Sequence, residues 1–191
     1  MINLKGRIII LLFTFLISSC GTFSEPIHNQ GKVDINKSNL KQLNGNYSRF
    51  SNTYLDTNTA YDFNDLFQCF YLWKEKKLRD TSTSEKDFVA LEVIDEKRIK
   101  VSFIKNGQIV KSKILKGELT ENTFVFNGRN FLIPLIFINF GERHRTRISL
   151  SENGSLNLDA FQFAMGNFFI FPWTSGHYEE YDLEFNKIAE K

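Results

Sequence analysis

The sequence has few of the residues that build catalytic and metal sites. Only two cysteines occur among the 191 residues, so at most one disulfide bond is available to stabilise the chain. The histidines His28, His144 and His177 are scattered, and none stands at a metal-ligand spacing from another histidine, a cysteine or a carboxylate pair. There is also no Gly-x-Ser-x-Gly elbow and no glycine-rich phosphate loop. We therefore expect neither an enzyme nor a cofactor.

Two short segments keep a chemical alternative open. Ser175 stands two residues before His177 on an expected turn, but a catalytic triad also needs an orienting carboxylate and side chains that meet in space. Glu180, Asp182 and Glu184 alternate along an expected strand and so fall on one face, where three carboxylates suit a hard cation. The same alternation is typical of a solvated outer face that keeps a strand soluble. We favour that second interpretation.

The amino-terminal residues have the pattern of a secretory signal peptide. Lys5 and Arg7 precede an apolar run over residues 8–17, and two serines and then Cys20 follow. A charged segment, a short apolar segment and small residues before a cut are the three parts of such a signal. A transmembrane helix needs roughly 20 apolar residues, so this shorter run does not predict a permanent membrane helix.

Residues 17–20, Ile-Ser-Ser-Cys, resemble the lipobox of bacterial lipoproteins, which has an aliphatic residue, two small residues and a cysteine. The resemblance implies cleavage before Cys20, diacylation of the Cys20 thiol and acylation of the new amino terminus. Several acyl chains anchor a protein stably where one binds only reversibly. The resemblance thus implies a cell-envelope protein held at a membrane by its N-terminal lipid. Gly21 is not the acidic residue associated with inner-membrane retention in some bacteria, which favours the outer membrane. The alternative is an ordinary secretory signal with a chance cysteine.

Charge and composition set the remaining organisation. Without residues 1–19, the chain keeps 22 basic and 22 acidic side chains, so it lacks the basic field that nucleic-acid binding requires. Residues 20–39 are polar and without period, which predicts a flexible lipidated tether. Residues 40–191 fit a single domain. If Cys20 carries lipid, Cys69 has no disulfide partner, and we expect it to be buried.

Most of the domain is expected to be β. A first strand is indicated over residues 47–54, and strands follow one another from residue 88 to residue 185. Asn-Gly pairs at Asn106, Asn127 and Asn153 each predict a hairpin turn. About nine strands in sequential order predict a mainly β fold, an antiparallel meander that forms a lipocalin-like barrel or a strongly curved sheet.

One helix is expected early in the domain, over residues 62–78. Its apolar stripe is spaced as on one helical face, and Asp62 is the expected N-cap. The stripe consists of Phe63, Leu66, Phe67, Phe70 and Tyr71.

A second resemblance concerns the expected first strand. Gly45, Asn46 and Tyr47 stand ahead of the meander and are similar to the glycine-x-tryptophan signature of lipocalins, with Tyr47 in place of the tryptophan. This resemblance implies a barrel that holds a small apolar ligand, and it implies no catalysis. The 20 phenylalanines suit either a large apolar core or such an apolar cavity.

The candidate ligand-binding residues are basic or aromatic. Arg143, Arg145 and Arg147 alternate along an expected strand, and their guanidinium forks suit carboxylate, phosphate or sugar-acid groups. Cross-strand ion pairs with the carboxylates of residues 180–184 are the structural alternative. Trp73 and Trp173 are the aromatic candidates for the same site.

Two functions remain open at this point. The first is a non-catalytic, lipid-anchored binding protein with a small apolar ligand inside a barrel. The second is an accessory or inhibitor subunit that binds another envelope protein through an aromatic surface. An apolar cavity would favour the first function, and a filled interior with an apolar outer surface would favour the second.

Overall fold

The structure is a computed structural model that describes residues 31–52, 65–70, 86–134, 138–168 and 171–189. Within the strands, the side chains of residues 128–140, 165, 167–175 and 177 are not described. Cys20, Asp62 and Trp73 lie outside the described residues, so the predictions made for them are not addressed by the structure.

The described chain is mainly β and forms a ten-stranded antiparallel meander sheet with one short helix. From β2 to β9, neighbouring strands follow the order of the chain, while β10 pairs with β2 and β1 pairs with β7. The strands are β1 (Lys32–Val33), β2 (Gly45–Ser48), β3 (Phe88–Asp95), β4 (Arg98–Lys105), β5 (Gln108–Thr120), β6 (Thr123–Pro134), β7 (Ile138–Ser151), β8 (Leu156–Phe168), β9 (Phe171–Phe185) and β10 (Lys187–Ile188). A 3-10 turn (Leu40–Leu43) and helix α1 (Leu66–Cys69) complete the fold.

The sheet is not closed into a barrel, which corrects the lipocalin-like expectation. The strand order begins at β10 and ends at β9, yet Asn186 alone separates these two strands in the chain. The sheet therefore curls until its two ends meet at Asn186. The backbone N–H groups of Ser48 and Asn52 donate to the carbonyl oxygens of Asn186 and Glu184, each at 2.8 Å. β9 pairs with β8 before Asn186, and β10 pairs with β2 after it. No single ladder of hydrogen bonds therefore runs around the whole sheet.

Helix α1 packs inside the curl of the sheet. Its Phe67 ring lies 5.3 Å from the ring of Phe103 on β4, and Phe70 stacks on Phe126 of β6 at 5.4 Å. On a third strand, the Thr146 hydroxyl donates to the carbonyl oxygen of Cys69 at 3.3 Å. The four rings are at most 1% exposed, and each buried phenylalanine contributes about 1.5–3 kcal/mol to stability. The helix thus bridges opposite parts of the sheet.

The helix is shorter than its apolar stripe predicted. Asp65 is the N-cap, because its carboxylate accepts a hydrogen bond from the Phe67 N–H at 2.9 Å. The helix ends at Cys69, where Phe70 leaves the helical conformation with φ −91° and ψ 15°. The predicted burial of Leu66, Phe67, Phe70 and Cys69 is confirmed. Phe63 and Tyr71 lie outside the described residues.

Two of the three predicted Asn-Gly hairpins are confirmed, and the third is wrong. Asn106 and Gly107 turn the chain with φ of 52° and 76°, and Asn153 lies in the β7–β8 connection. Asn127 instead lies inside β6, where a register shift between Asn127 and Asn130 marks a bulge. The β5–β6 turn is made by Glu121 and Asn122, both at positive φ.

Contacts from the amino-terminal side hold the β5–β6 turn in place. The Ile35 N–H donates to the carbonyl oxygen of Asn122 at 3.1 Å, and the Asn122 amide donates to the Asp34 carboxylate at 2.8 Å. Ile35 is 1% exposed, and β1 pairs with the end of β7. Residues 32–35 fall within the predicted tether, and in the structure they contact the sheet through β1 and the buried Ile35.

Candidate functional site

The three candidate arginines lie on one face of β7, as the alternation predicted. Across the β7–β8 ladder, Arg143 pairs with Phe163, Arg145 with Phe161 and Arg147 with Asp159. The intervening Thr146 and Ile148 are buried against the core. The arginines therefore lie on the face opposite the core, together with two aromatic residues of β8.

Arg147 forms a buried ion pair with Asp159, a residue that the sequence reasoning did not single out. The Arg147 Nε donates to an oxygen of the Asp159 carboxylate at 2.7 Å, and both side chains are buried. The other oxygen accepts the backbone N–H of Asp182 at 2.9 Å. The Arg147 guanidinium also lies over the Tyr181 ring, 5.7 Å from its centroid. The Asn153–Gly154 turn predicts that β7 pairs with β8, but placing Asp159 opposite Arg147 also requires the exact register of the two strands, which the sequence leaves open.

The carboxylates of β9 do not form one regular row. A register shift between Leu158 and Ala160 disturbs the β8–β9 ladder, and Asp182 has φ 56°. Asp182 accepts a hydrogen bond from Lys32 at 2.5 Å, and Glu184 accepts one from the Asn153 amide at 2.9 Å. Lys32 of β1 and Asn153 of the β7–β8 turn thus bind two of the carboxylates that the sequence had suggested as ion-pair partners of the arginines.

A polar cluster lies on the opposite, core-facing side of the same strands. The Glu142 carboxylate contacts the His144 Nε2 at 2.5 Å and accepts a hydrogen bond from Gln162 at 3.3 Å. His144 is 1% exposed. Nearby on β9, Glu180 pairs with Ala160, and burial raises the pKa of the Glu180 carboxyl. His144 is therefore a buried partner of a carboxylate, in line with the packing role expected for isolated histidines.

A second buried ion cluster ties β2 to helix α1 and to the β4–β5 turn. Arg49 donates to Asp65 at 2.7 and 3.0 Å and to Asp87 at 3.3 Å, and its guanidinium lies 4.5 Å from the centroid of the Phe67 ring. Burial opposes the charge, but the hydrogen bonds and charges of Asp65 and Asp87 outweigh it and raise the pKa of Arg49 above its ordinary value. Arg49 directly follows β2, which ends at Ser48, whereas the sequence predicted a strand over residues 47–54; residues 53 and 54 lie outside the described residues.

The remaining candidates are placed only in part. Trp173 lies on β9 and pairs with Gly166 of β8, and its side chain is outside the described set. Trp73 and Cys20 lie outside the described residues. In the described part of the chain, no group of three or more histidine, cysteine or acidic side chains is arranged to hold a metal ion. The described helices include none that is long and apolar enough to cross a membrane.

Comparisons of the chain with models of known protein families, with curated proteins and with solved structures give no match. The site's own geometry therefore carries the functional argument. That geometry places the half-buried Arg143, Arg145 and Phe163 beside the buried Phe161 and the buried Arg147–Asp159 pair, on the face of β7 and β8 opposite the core.

Proposed function

We propose that this protein is a non-catalytic, lipid-anchored binding protein of the bacterial cell envelope, and that its target is another envelope protein. The observation that carries the choice of target is the packing of the described residues inside the curled sheet. Helix α1 and the packed rings of Phe70, Phe103 and Phe126 occupy the space where a lipocalin-like protein would hold its ligand. Interiors packed in this way exchange contents only by moving many side chains together.

The surface proposed for the partner is the end of strands β6–β9 that extends past β5. Pairing between β5 and β6 ends at Gly117 and Phe126, while β6 continues to Pro134 and pairs there with β7. We call the part of β6–β9 beyond this point the arm, made of residues 127–134, 138–145, 161–168 and 171–179. The arm is a sheet of four paired strands that extends past the last described β5 partner.

The sequence of the arm is apolar in a way that suits contact on both faces. Eight of the ten residues 131–140 are apolar, and residues 168–173 read Phe-Phe-Ile-Phe-Pro-Trp. Strands that are apolar at successive positions are usually covered on both faces. Contiguous apolar surfaces typically mark interaction sites in proteins. A protein partner would provide the second cover.

The arginine row adjoins the base of the arm. Arg145 pairs with Asn127 on one side and with Phe161 on the other, and Arg143 lies further out along the arm. Arginine and aromatic residues together are enriched at the energetic centres of protein interfaces. The proposed interface therefore joins an apolar arm to the partly exposed Arg143, Arg145 and Phe163 at its base.

The membrane part of the proposal rests on the lipobox-like residues 17–20. Mass spectrometry of the amino-terminal peptide from the full chain expressed in its host tests this part directly. We expect the mature chain to begin at Cys20 and to carry acyl groups, and we expect Cys20→Ser to abolish both. An unmodified Cys20 on a correctly exported chain would contradict the anchor.

Site-specific crosslinking in living cells tests the protein partner. A photoreactive phenylalanine analogue replaces Phe131 or Phe168 on the arm, and Glu152, an exposed residue in the β7–β8 turn, serves as the control position. We expect one discrete adduct of protein size from the arm positions and none from the control. We also expect Phe168→Asp to suppress the adduct formed from position 131. Equal crosslinking at all three positions would refute the arm as the interface.

A further inference from the structure

Two of the three arginines on the outer face of β7 have an acidic residue across the neighbouring strands. Arg147 pairs with Asp159 of β8. Arg145 pairs with Phe161 of β8, and Phe161 in turn pairs with Glu179 of β9. Residues that are directly opposite in an antiparallel pair share a face of the sheet. An acidic residue therefore shares the outer face with each of these two arginines, at a matching position along the strands.

Arg143 differs from the other two arginines, because the described ladders place no acidic residue across from it. Its partners are Asn130 on β6 and Phe163 on β8. Phe163 in turn pairs with His177 on β9. The register therefore leaves the positive charge of Arg143 without an opposing carboxylate at its own position in the sheet.

The Arg143 Nε is buried, and nothing in the described part of the chain accepts a hydrogen bond from it. The residue as a whole is only half-buried, so its guanidinium group can be reached from outside. The adjacent carboxylate, that of Glu142, lies on the core-facing side, where it contacts His144 and Gln162. A buried N–H group without an acceptor costs free energy, and such groups are few in native proteins. The Arg143 Nε therefore calls for an acceptor from outside the chain.

Arg147 shows how an arginine of this row is satisfied where a carboxylate is present. Its Nε donates to the Asp159 carboxylate at 2.7 Å, and both side chains are buried. Arg143 leaves β7 on the same face, four residues earlier, but the ladder places Phe163 at the position that corresponds to Asp159. The half-buried Phe163 provides an apolar contact there and no hydrogen-bond acceptor. An acceptor for Arg143 would therefore have to lie over or beside this ring.

We infer that Arg143 binds a carboxylate of the protein partner, supplied by an aspartate or glutamate side chain that lies over Phe163. The guanidinium fork matches the geometry of a carboxylate. Arg143 lies on the outer face of the curled sheet, whereas sites for small molecules are concave, so the outer face favours a protein as the source of the carboxylate. The inference rests on the proposed function and adds the charge of the partner segment that contacts the arm.

Urea unfolding of the purified full-length protein tests the inference without any partner. Arg143→Met removes a buried N–H group that has no acceptor, so we expect the midpoint of unfolding to stay the same or to rise. Arg147→Met removes a donor that the fold uses, and we expect it to lower the midpoint. If Arg143→Met lowered the midpoint as much as Arg147→Met does, the fold itself would use Arg143 and the inference would be overturned.

Photocrosslinking from position 168 measures the contribution of Arg143 to partner binding. Solubilised envelopes are diluted in steps, and the dilution that halves the adduct yield gives the relative affinity. We expect Arg143→Gln to weaken binding about tenfold or more, the size typical of a charge-assisted hydrogen bond. Arg98→Gln, which removes an exposed arginine outside the arm, is the control and is expected to bind as the parent chain does. Equal binding of the two variants would overturn the inference and leave the proposed function standing, whereas no adduct from the parent chain would overturn both.

A carbodiimide identifies the acceptor group in the same envelopes. Arg143→Lys places a primary amine beside the expected carboxylate; the carbodiimide activates this carboxylate, and the amine displaces a urea to form an amide bond. We expect peptide mapping to find position 143 joined to an aspartate or glutamate of the protein captured from position 168. Arg98→Lys is the control and is expected to give no bond to that protein. The absence of such a bond at position 143 would refute the inference, and so would a small anion bound to the parent chain and lost in Arg143→Gln.

Discussion

The buried ion cluster of Arg49 and the buried ion pair of Arg147 differ in which elements of the fold they connect. Around Arg49, each carboxylate has a second task within the fold, because Asp65 caps helix α1 and Asp87 holds the β4–β5 turn. Arg147 pairs with Asp159, which also accepts the Asp182 N–H, and it lies on the face opposite the core in a row with two further arginines. The first cluster joins elements that are distant in sequence, whereas the second lies between neighbouring strands that are already paired. The Arg49 cluster therefore ties distant elements together, whereas the buried Arg147–Asp159 pair reinforces an existing ladder beside the half-buried Arg143 and Arg145.

The largest expected effect is the loss of the Arg49 guanidinium. Arg49→Met leaves two buried carboxylates without their shared cation, and breaking a buried pair in this way costs about 3–5 kcal/mol. Urea unfolding of the variant measures the loss. Arg98→Met, which removes an exposed partner of Asp95, is the control and is expected to change stability little. Equal effects of the two substitutions would contradict the structural role of Arg49.

A smaller loss is expected on the outer face. Arg147→Met removes one charge-assisted hydrogen bond, worth about 1.5–3 kcal/mol, while Asp159 keeps its bond from the Asp182 N–H. A double-mutant cycle with Asp159→Asn measures the coupling between the two side chains. We also expect Arg147→Met to weaken arm crosslinking while Arg49→Lys does not. A stability loss as large as that of Arg49→Met would remove the distinction between the clusters.

The smallest expected effect concerns Glu180 and depends on pH. Because burial raises the pKa of this carboxyl in the folded state, the folded protein favours the protonated form. The contribution of Glu180 to stability is therefore fully present below the ordinary carboxyl pKa, and it is lost as the pH rises through the raised pKa. We expect Glu180→Gln to be slightly more stable than the parent chain at neutral pH and equal to it in acid. Thermal unfolding at the two pH values measures the difference, and a variant that is less stable at neutral pH would contradict it.

Local patterns in the sequence predict much of the fold because they act over few residues. The alternation of Arg143, Arg145 and Arg147 predicts their shared face, and Asn106–Gly107 predicts its turn from backbone conformation alone. The Asn127 hairpin fails because Glu121 and Asn122, held by Asp34 and Ile35, turn the chain earlier. Such contacts depend on which strands pair and have no local signature.

The candidate site shows the same division between local and distant information. The Arg49 cluster joins residues that are 16 and 38 positions apart in the sequence. The apolar stripe over residues 62–78 predicted a longer helix and did not locate the ends of helix α1 at Leu66 and Cys69. Asp159 becomes identifiable only when β7 and β8 are in register. Sequence spacing therefore finds rows on one strand, whereas partners on other strands require the fold.

Native mass spectrometry of the full-length protein, purified gently from its own host, tests the central claim most directly. We expect the mass of the acylated chain, with a second polypeptide when the complex survives. We expect no small-molecule adduct, because helix α1 and its phenylalanine rings occupy the interior. A small-molecule adduct that is retained in the folded protein and lost on denaturation would contradict this account. That result would mean that the curled sheet opens around a ligand and that the protein is a carrier rather than a partner-binding subunit.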